Sequence, residues 1–218
     1  MKPEDIVNLF NYDLKPNNLS LACRKLAYGV GINDASYITN QEIEGKRVKC
    51  PFYDRWINML VRCYSPKYQE KQPTYKGCSV SDEWLFFSNF KAWMESQDWA
   101  GKQLDKDLLF SGNKIYSSDR CIFVTQEINT LFCDNAASRG DCPIGVNWHK
   151  NENIFRANIS VYGRKQHLGC FKTIDEASEA YREAKIDYVA EVALKQTGKL
   201  KIALINRVNE MINVEWIG

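Results

Sequence analysis

The sequence lacks any stretch that would carry it into or across a membrane. No long apolar run occurs among its 218 residues, and the N-terminus has no basic segment followed by an apolar one. A membrane-spanning helix needs about 20 consecutive apolar residues, and a secretory signal needs a basic-then-apolar start. The sequence therefore predicts a cytoplasmic protein without a membrane partner.

Close cysteine pairs are absent, and histidines are scarce. The eight cysteines are scattered with no C-x-x-C pair, and the two histidines are His149 and His167. Zinc sites of the usual kind need close pairs of such ligands, and disulfide frameworks belong to secreted chains. We therefore expect buried free thiols, with a zinc site as the minor alternative.

A large net charge is also missing, but the charge is unevenly distributed. The whole chain carries +2, whereas residues 45–76 carry eight basic residues against Asp54 and Glu70, a local charge of +6. A basic stretch of this kind favours an anionic partner. The residues predicted to contact DNA here are Lys46, Arg47, Lys49, Arg55 and Arg62.

What the sequence does contain predicts a folded α+β protein. Hydrophobic residues make up 44% of the chain, and its length is enough for two small domains. The predicted parts are an N-terminal helical arm (1–28), a first domain with helical and ribbon additions (29–133), a linker (134–143), a small sheet-and-helix domain (144–195) and an amphipathic segment (196–218). The last segment either packs back on the protein or mediates self-association.

The centre of the chain, Leu104 to Phe132, predicts a strand, a second strand and a short helix. Leu104–Phe110 and Cys121–Val124 are apolar and strand-like, and turn-forming residues separate them. Thr125 can cap the helix that follows. The unit therefore has the order β, β, α.

Polar residues in this unit form a candidate metal site. In the first strand, alternation places Asp105 and Asp107 on one face and Lys106 on the other, and Asn129 lies on the closing helix. One carboxylate, one amide oxygen and several waters can hold a hard divalent cation and leave room for a phosphate. This arrangement is typical of a nuclease. The alternative is that these residues form no metal site, the aspartates and the lysine lying on a solvated strand edge and Asn129 on the surface of the helix.

The order and spacing of these residues resemble the HNH, or ββα-metal, endonuclease family. The resemblance implies that Asp105 and Asn129 bind Mg²⁺ or Mn²⁺. Lys106 stands where the family has its general-base histidine, which is the main departure from the motif. Because two adjacent aspartates favour the charged form of a lysine, Asp107 is the better candidate for the base.

Residues 144–172 predict a three-stranded antiparallel sheet, and a helix that covers it follows. The strand-like segments are Gly145–Lys150, Ile154–Val161 and Arg164–Phe171. Thr173 and Glu176 form a capping box before a helix that continues to about Lys195. The sheet segment carries a charge of +4 and the helix −3, so an anionic partner is expected on the sheet.

Alternation along the strands predicts which side chains face that partner. The inward set is Val146, Trp148, Phe155, Ala157, Ile159, Val161, Leu168 and Cys170. The outward set is Asn147, His149, Arg156, Asn158, Ser160, Lys165 and His167. A sheet face of this size can enter a groove of double-stranded DNA. The predicted phosphate contacts are Arg156, Arg164 and Lys165, with Lys150 at the rim.

Residues 143–192 resemble the ethylene-response-factor, or Apetala-type, DNA-binding domain. The resemblance is carried by Gly145-Val146, by the L-G-x-F end of the third strand and by the Thr-capped, Ala-rich helix. The family reads the major groove with arginines and tryptophans. Most matching positions here hold other residues, so no base preference is transferred. These positions are Asn147, His149, Asn158, Ser160, Lys165 and His167.

An HNH-like unit followed by such a domain is similar to mobile endonucleases of bacteriophages, and the similarity covers roughly residues 29–192. It implies a metal-dependent DNA endonuclease or nickase acting in the cytoplasm of a bacterial host. Two alternatives stay open. One is a DNA-binding protein with a decayed catalytic site, and the other is a phage-encoded inhibitor of a host protein.

Overall fold

The computed structural model describes residues 2–133 and 141–213 and has the mixed α and β content that the sequence predicts. The chain divides into two compact units, Met1–Thr125 (unit 1) and Gln126–Gly218 (unit 2). The division falls before the predicted linker at 134–143, of which 134–140 lie outside the described residues. The segment directly after Thr125 therefore groups with the second unit.

The described part of unit 1 contains five α-helices. They are α1 (Pro3–Leu9), α2 (Asn18–Ala22), α3 (Pro51–Tyr64), α4 (Pro66–Lys71) and α5 (Phe87–Glu95). Ser65 caps α4 and Pro66 is suited to its first position, so a second helix starts directly after α3. A 3-10 turn, Asp82–Leu85, precedes α5.

Unit 1 contains three separate two-stranded pairings. Its strands are β1 (Asn40–Ile43), β2 (Lys46–Lys49), β3 (Ser79–Val80), β4 (Gln103–Asp105), β5 (Ile115–Tyr116) and β6 (Ile122–Val124). β1 pairs with β2 and β4 with β6, both antiparallel, whereas β3 pairs with β5 in parallel. The predicted strand 104–110 is wrong beyond Asp105, because the chain bends at that residue.

Aromatic side chains form the core of unit 1. Trp56, Trp84, Phe87 and Phe90 are fully buried, and Trp56 Nε1 donates to the main-chain carbonyl of Trp84 at 2.8 Å. This bond satisfies the one polar group of a large apolar ring. Phe10 is buried in the same cluster, so the predicted N-terminal arm contributes to the core of the unit.

Unit 2 contains the predicted three-stranded sheet and its covering helix. Its elements are α6 (Gln126–Thr130), β7 (Val146–His149), β8 (Ile154–Val161), β9 (Arg164–Phe171), α7 (Ile174–Leu194) and α8 (Gly198–Asn213). The strands are antiparallel in the order β7-β8-β9. Thr173 and Glu176 form the predicted capping box at the start of α7. Local signals therefore placed these elements correctly.

Helix α7 covers one face of the sheet, and α8 packs against α7. Val146, Ala157 and Ala177 form the buried centre of the sheet–helix contact. Ala203 and Leu204 are the buried residues of α8, so this part of the C-terminal segment packs back on unit 2. Self-association stays a prediction. Among the helices that the structure describes, none is both long and apolar enough to cross a membrane.

The eight cysteines are all free thiols, but they are not all buried. Four are buried in unit 1, as predicted. Cys23, Cys133 and Cys170 are exposed, so the prediction is wrong for these three. Exposed thiols can react with reagents that buried thiols do not meet.

Candidate nucleic-acid interface and the predicted metal site

The polar face of the sheet is built by cross-strand pairing. Arg156 on the central strand β8 pairs with Asn147 on β7 and with Cys170 on β9. Residues directly opposite one another project to the same side of a sheet. These three side chains therefore form one row on the face turned away from α7.

A β-bulge changes the alternation in the third strand. Ala157 pairs with Gly169 and the next residue, Asn158, pairs with His167, which leaves Leu168 as an extra residue on β9. An extra residue in one strand shifts its side-chain alternation by one position. Cys170 is consequently exposed on the polar face, and its predicted inward position is wrong. The period-two pattern alone contains no signal for this shift.

Trp148 lies on the predicted inward side of the sheet, opposite Phe155, but it is not buried. Its ring packs against Phe155, with the ring centroids 4.6 Å apart, but the side chain is 45% exposed. Trp148 lies on β7, an outer strand of the sheet, where the covering helix leaves one flank open. The apolar ring is thus available to a partner at this edge.

One acidic side chain interrupts the basic character of the polar face. Glu152, in the turn between β7 and β8, accepts a hydrogen bond from Arg156 Nη2 at 2.8 Å and lies 3.6 Å from His149 Nδ1. The hydrogen bond from Arg156 lowers the pKa of Glu152. The positive charge of Arg156 is therefore partly neutralised within the protein, which weakens its predicted role as a phosphate contact.

Three exposed basic side chains lie at the two ends of the sheet. Arg164 and Lys165 begin β9, at the end away from Glu152, and Lys150 lies in the same β7–β8 turn as Glu152. Within the described ranges 2–133 and 141–213, no carboxylate forms an ion pair with any of these three side chains. Their charges are available to an external anion.

Hydrogen-bonding side chains lie between the charged residues. His167 Nδ1 is 3.4 Å from Asn158 Oδ1, and His167 Nε2 is 3.6 Å from Cys170 Sγ. Ser160, exposed, pairs across the strands with Lys165. Amide, hydroxyl and imidazole groups can donate and accept hydrogen bonds, which is the chemistry that reads base edges.

The basic residues predicted in unit 1 fall into two groups. Lys46, Arg47 and Lys49 are exposed on the β1–β2 hairpin, and Lys49 Nζ is 3.3 Å from the carboxylate of Asp54. Arg55 and Arg62 are instead partly buried on α3. The composition predicted one basic surface. The hairpin side chains are exposed and the two arginines of α3 are partly buried, so they do not form one evenly exposed surface.

Asp105, the predicted metal-binding acid, terminates strand β4. Its Oδ1 accepts hydrogen bonds from the backbone N–H groups of Asp107 at 2.9 Å and Leu108 at 2.7 Å. This local capping bends the chain, which is why Asp107 is not on the strand as predicted. Burial raises the pKa of the Asp105 carboxyl.

Lys106, at the position of the family histidine, is buried and only 6% exposed. Its Nζ donates to the carboxylate of Asp107 and, at 3.0 Å, to the main-chain carbonyl of Asn113. The predicted alternation, with Asp105 and Asp107 on one face and Lys106 on the other, is therefore wrong. Asn113, which the sequence indicated only as a turn residue, is a partner of this site.

The second predicted ligand, Asn129, is half-buried on the short helix α6. It belongs to unit 2, whereas Asp105 to Asp107 belong to unit 1. Within the described part of the chain, no group of three or more His, Cys, Asp or Glu side chains could hold a metal ion. Binding of Mg²⁺ or Mn²⁺ by Asp105 and Asn129 stays a prediction.

Comparison of the chain with protein-family models, curated proteins and solved structures gave no match. The resemblances to the HNH and Apetala-type families therefore stay interpretations of sequence motifs. A fold alone does not define a function, so the function has to come from the chemistry of the described side chains.

Proposed function

We propose that the protein binds double-stranded DNA through the polar face of its three-stranded sheet. The observation that carries the proposal is the separation of charge in unit 2. Lys165, opposite Ser160, is exposed on the polar face without a described acidic partner, and Arg164 is exposed beside it at the start of β9, whereas Glu179 and Glu183 are exposed on the covering helix. Neutralising DNA phosphates with such basic groups releases condensed counterions, which drives binding.

The dimensions and chemistry of the face suit a DNA groove. Strands β8 and β9 have eight residues each, and at about 3.3 Å per residue each spans about 26 Å. The major groove, about 12 Å wide, admits a two-stranded ribbon. Asn147 and Asn158 are suited to read adenine, because an asparagine side chain can bond to both polar groups on that base edge.

The test is the salt dependence of duplex binding. Each phosphate contact contributes about −0.9 to the slope of log K against log salt, so Lys165→Ala should flatten the slope by about one. Asn158→Ala should leave the slope unchanged and relax base preference at one position. Lys199→Ala is the matched control, because this exposed lysine lies on α8 and not on the sheet. The proposal is overturned if Lys165→Ala and Lys199→Ala change the salt dependence of duplex binding equally.

A second candidate function is metal-dependent DNA cleavage, by a phage-type or homing-type HNH endonuclease or nickase. The observation that favours it is the order of β4, β6 and α6, with β4 and β6 antiparallel and Asp105 at the end of β4. Nicking of supercoiled plasmid with Mg²⁺ or Mn²⁺ tests it.

Asp105→Ala and Asn129→Ala should each abolish that cleavage and leave duplex affinity nearly unchanged. No cleavage by the unmutated protein across a broad DNA panel would leave DNA binding as the sole function. Absence of DNA affinity as well would favour the inhibitor of a host protein.

A further inference from the structure

Helix α3 presents two arginines to one small pocket in unit 1. Arg55 and Arg62 are seven residues apart, so they lie on the same side of the helix about two turns from each other. Asn58 lies between them on that side, and Tyr68 of α4 also lines the pocket. The pocket has a volume of about 110 Å³.

Arg55 is held in place without an acidic partner. Its Nη2 donates to the main-chain carbonyl of Lys102 at 3.0 Å, and its Nη1 lies 3.4 Å from Gln103 Oε1. These are neutral acceptors, and they occupy only part of the guanidinium's five N–H donors. The geometry fixes the guanidinium in orientation, and no described carboxylate forms an ion pair with it, although the charge of Asp54 is near enough to favour its charged form.

Arg62 is also surrounded by neutral groups. Its guanidinium lies over the ring of Tyr75, 5.6 Å from the centroid, and Tyr116 contributes a phenol oxygen as hydrogen-bond partner. No described Asp or Glu forms an ion pair with either arginine. Asp54, the acid of the same helix, is engaged by Lys49 Nζ at 3.3 Å and Asn58 Nδ2 at 3.1 Å.

Two partly buried like charges meet at this pocket. Burial lowers the pKa of Arg55, the negative charge of Asp54 offsets part of that effect, and the positive charge of Arg62 adds a smaller lowering. An anion between the two guanidiniums would offset both the desolvation and the mutual repulsion. The site is therefore electrostatically prepared for a ligand of negative charge.

We propose that this pocket binds one phosphate group. A pocket for a drug-sized ligand has a volume of about 300–1,000 Å³, so this smaller pocket suits a single tetrahedral anion. The planar fork of an arginine matches phosphate oxygens in bidentate fashion. Asn58 and Tyr68 add an amide and a hydroxyl donor. The phosphate comes either from free inorganic phosphate or from a nucleic-acid backbone.

The phosphate pocket does not depend on the sheet proposal, because its residues belong to unit 1. Calorimetric titration of the full chain with inorganic phosphate at low ionic strength should give saturable binding of one equivalent. Arg55→Gln should weaken that binding by about tenfold, the loss of one strong charge-assisted contact. Arg55→Lys should weaken it less, since the charge remains.

Lys71→Gln is the matched control, because it removes the same charge from an exposed position on α4. It should bind phosphate like the unmutated chain. Thermal unfolding of each variant establishes that it is folded during the titration. The proposal is overturned if sodium chloride at equal ionic strength gives the same heat, or if Arg55→Gln and Lys71→Gln bind phosphate equally well.

Titration with a short DNA duplex distinguishes the two sources of phosphate. If the ligand is a backbone phosphate, Arg55→Gln lowers duplex affinity and inorganic phosphate competes with the duplex. If the ligand is free phosphate, the variant loses phosphate binding and keeps its duplex affinity. Loss of duplex affinity in Lys165→Ala alone would support the sheet proposal without bearing on the phosphate pocket.

Discussion

Lys106 and Asn113 are joined by reciprocal hydrogen bonds. Lys106 Nζ donates to the main-chain carbonyl of Asn113 at 3.0 Å, and the side-chain amide of Asn113 donates to the main-chain carbonyl of Lys106 at 2.8 Å. The two residues thereby close the turn-rich segment between β4 and β5. Lys106 thus has a structural role in unit 1.

We expect Lys106→Met to destabilise the protein by about 2–3 kcal/mol. The substitution keeps the aliphatic stem but removes the buried donor that Lys106 supplies to the Asn113 carbonyl and to the Asp107 carboxylate. Urea unfolding at neutral pH measures the change in free energy. Lys67→Met, at an exposed position on α4, should change it by less than about 0.5 kcal/mol. An unchanged stability in Lys106→Met, combined with loss of DNA cleavage, would assign the lysine a catalytic role instead.

Asp105→Asn should be at least as stable as the unmutated chain at neutral pH. Burial raises the pKa of Asp105, so the native state binds a proton here more tightly than the unfolded chain does. The protonated Asp105 carboxyl makes its full contribution to the free energy of unfolding below its ordinary pKa, about 3.9. This contribution is lost as the pH rises through the raised pKa of the native state. Asparagine keeps an acceptor for the N–H groups of Asp107 and Leu108 and has no charge to desolvate.

The advantage of Asp105→Asn should disappear as the pH falls below about 4, where the aspartate is protonated in both states. Asp105→Ala provides the comparison, because it removes the acceptor and should cost about 1–2 kcal/mol. Thermal unfolding across the pH range follows both variants. A carboxylate that stabilises the protein would give the opposite result, with Asp105→Asn less stable at neutral pH.

Local sequence signals predicted more of the fold than of the site. The capping box at Thr173 and Glu176 and the alternating residues of β8 specify structure within a few positions, so they could be recognised directly. The bulge at Leu168 depends on pairing between two strands, and burial of Lys106 depends on a partner seven residues away. The pairing of β8 with β9, and the fold of the turn that brings Asn113 to Lys106, are tertiary properties that residue alternation does not encode, and each one moved predicted site residues to a different face.

Cys170 should be among the fast-reacting thiols of the native protein. The bulge turns it to the exposed face of the sheet, whereas Cys50, Cys63, Cys78 and Cys121 are buried. Burial raises the pKa of Cys63 and of Cys121 to about 12, which leaves both as unreactive thiols near neutral pH. Reaction with a chromogenic disulfide should therefore be rapid at Cys23, Cys133 and Cys170. Cys170→Ser should have one fewer rapidly reacting thiol per protein molecule than the unmutated chain.

If the sheet binds DNA, carboxymethylation of Cys170 should weaken duplex affinity, because it adds a negative charge beside Arg156. Cys170→Ser treated in the same way keeps Cys23 and Cys133 and should retain its affinity. If Cys170→Ser has as many rapidly reacting thiols as the unmutated protein, the Cys170 thiol faces α7, and β9 has no bulge at Leu168.

Gly145→Ala should destabilise unit 2 more than Gly163→Ala does. Both glycines have positive φ, +80° and +74°, so an alanine is strained at either position. A Cβ at Gly145 would overlap the ring of Tyr181, whereas one at Gly163 would meet no atom within 4 Å. The two substitutions share the backbone cost of about 1–2 kcal/mol, and overpacking adds about 1–3 kcal/mol at Gly145 alone.

Urea unfolding measures the difference in unfolding free energy between the two variants. Amide hydrogen exchange shows whether the loss of stability reaches β7 and α7. The close approach of Gly145 to Tyr181 brings the start of the sheet against the covering helix, so its loss should increase exchange in both elements. In a protein that already carries Tyr181→Ala, adding Gly145→Ala should cost only the backbone part of the loss, because the ring that the new methyl group overlaps is then absent. Equal destabilisation by Gly145→Ala and Gly163→Ala would show that backbone strain is the whole effect, and that the ring does not confine residue 145.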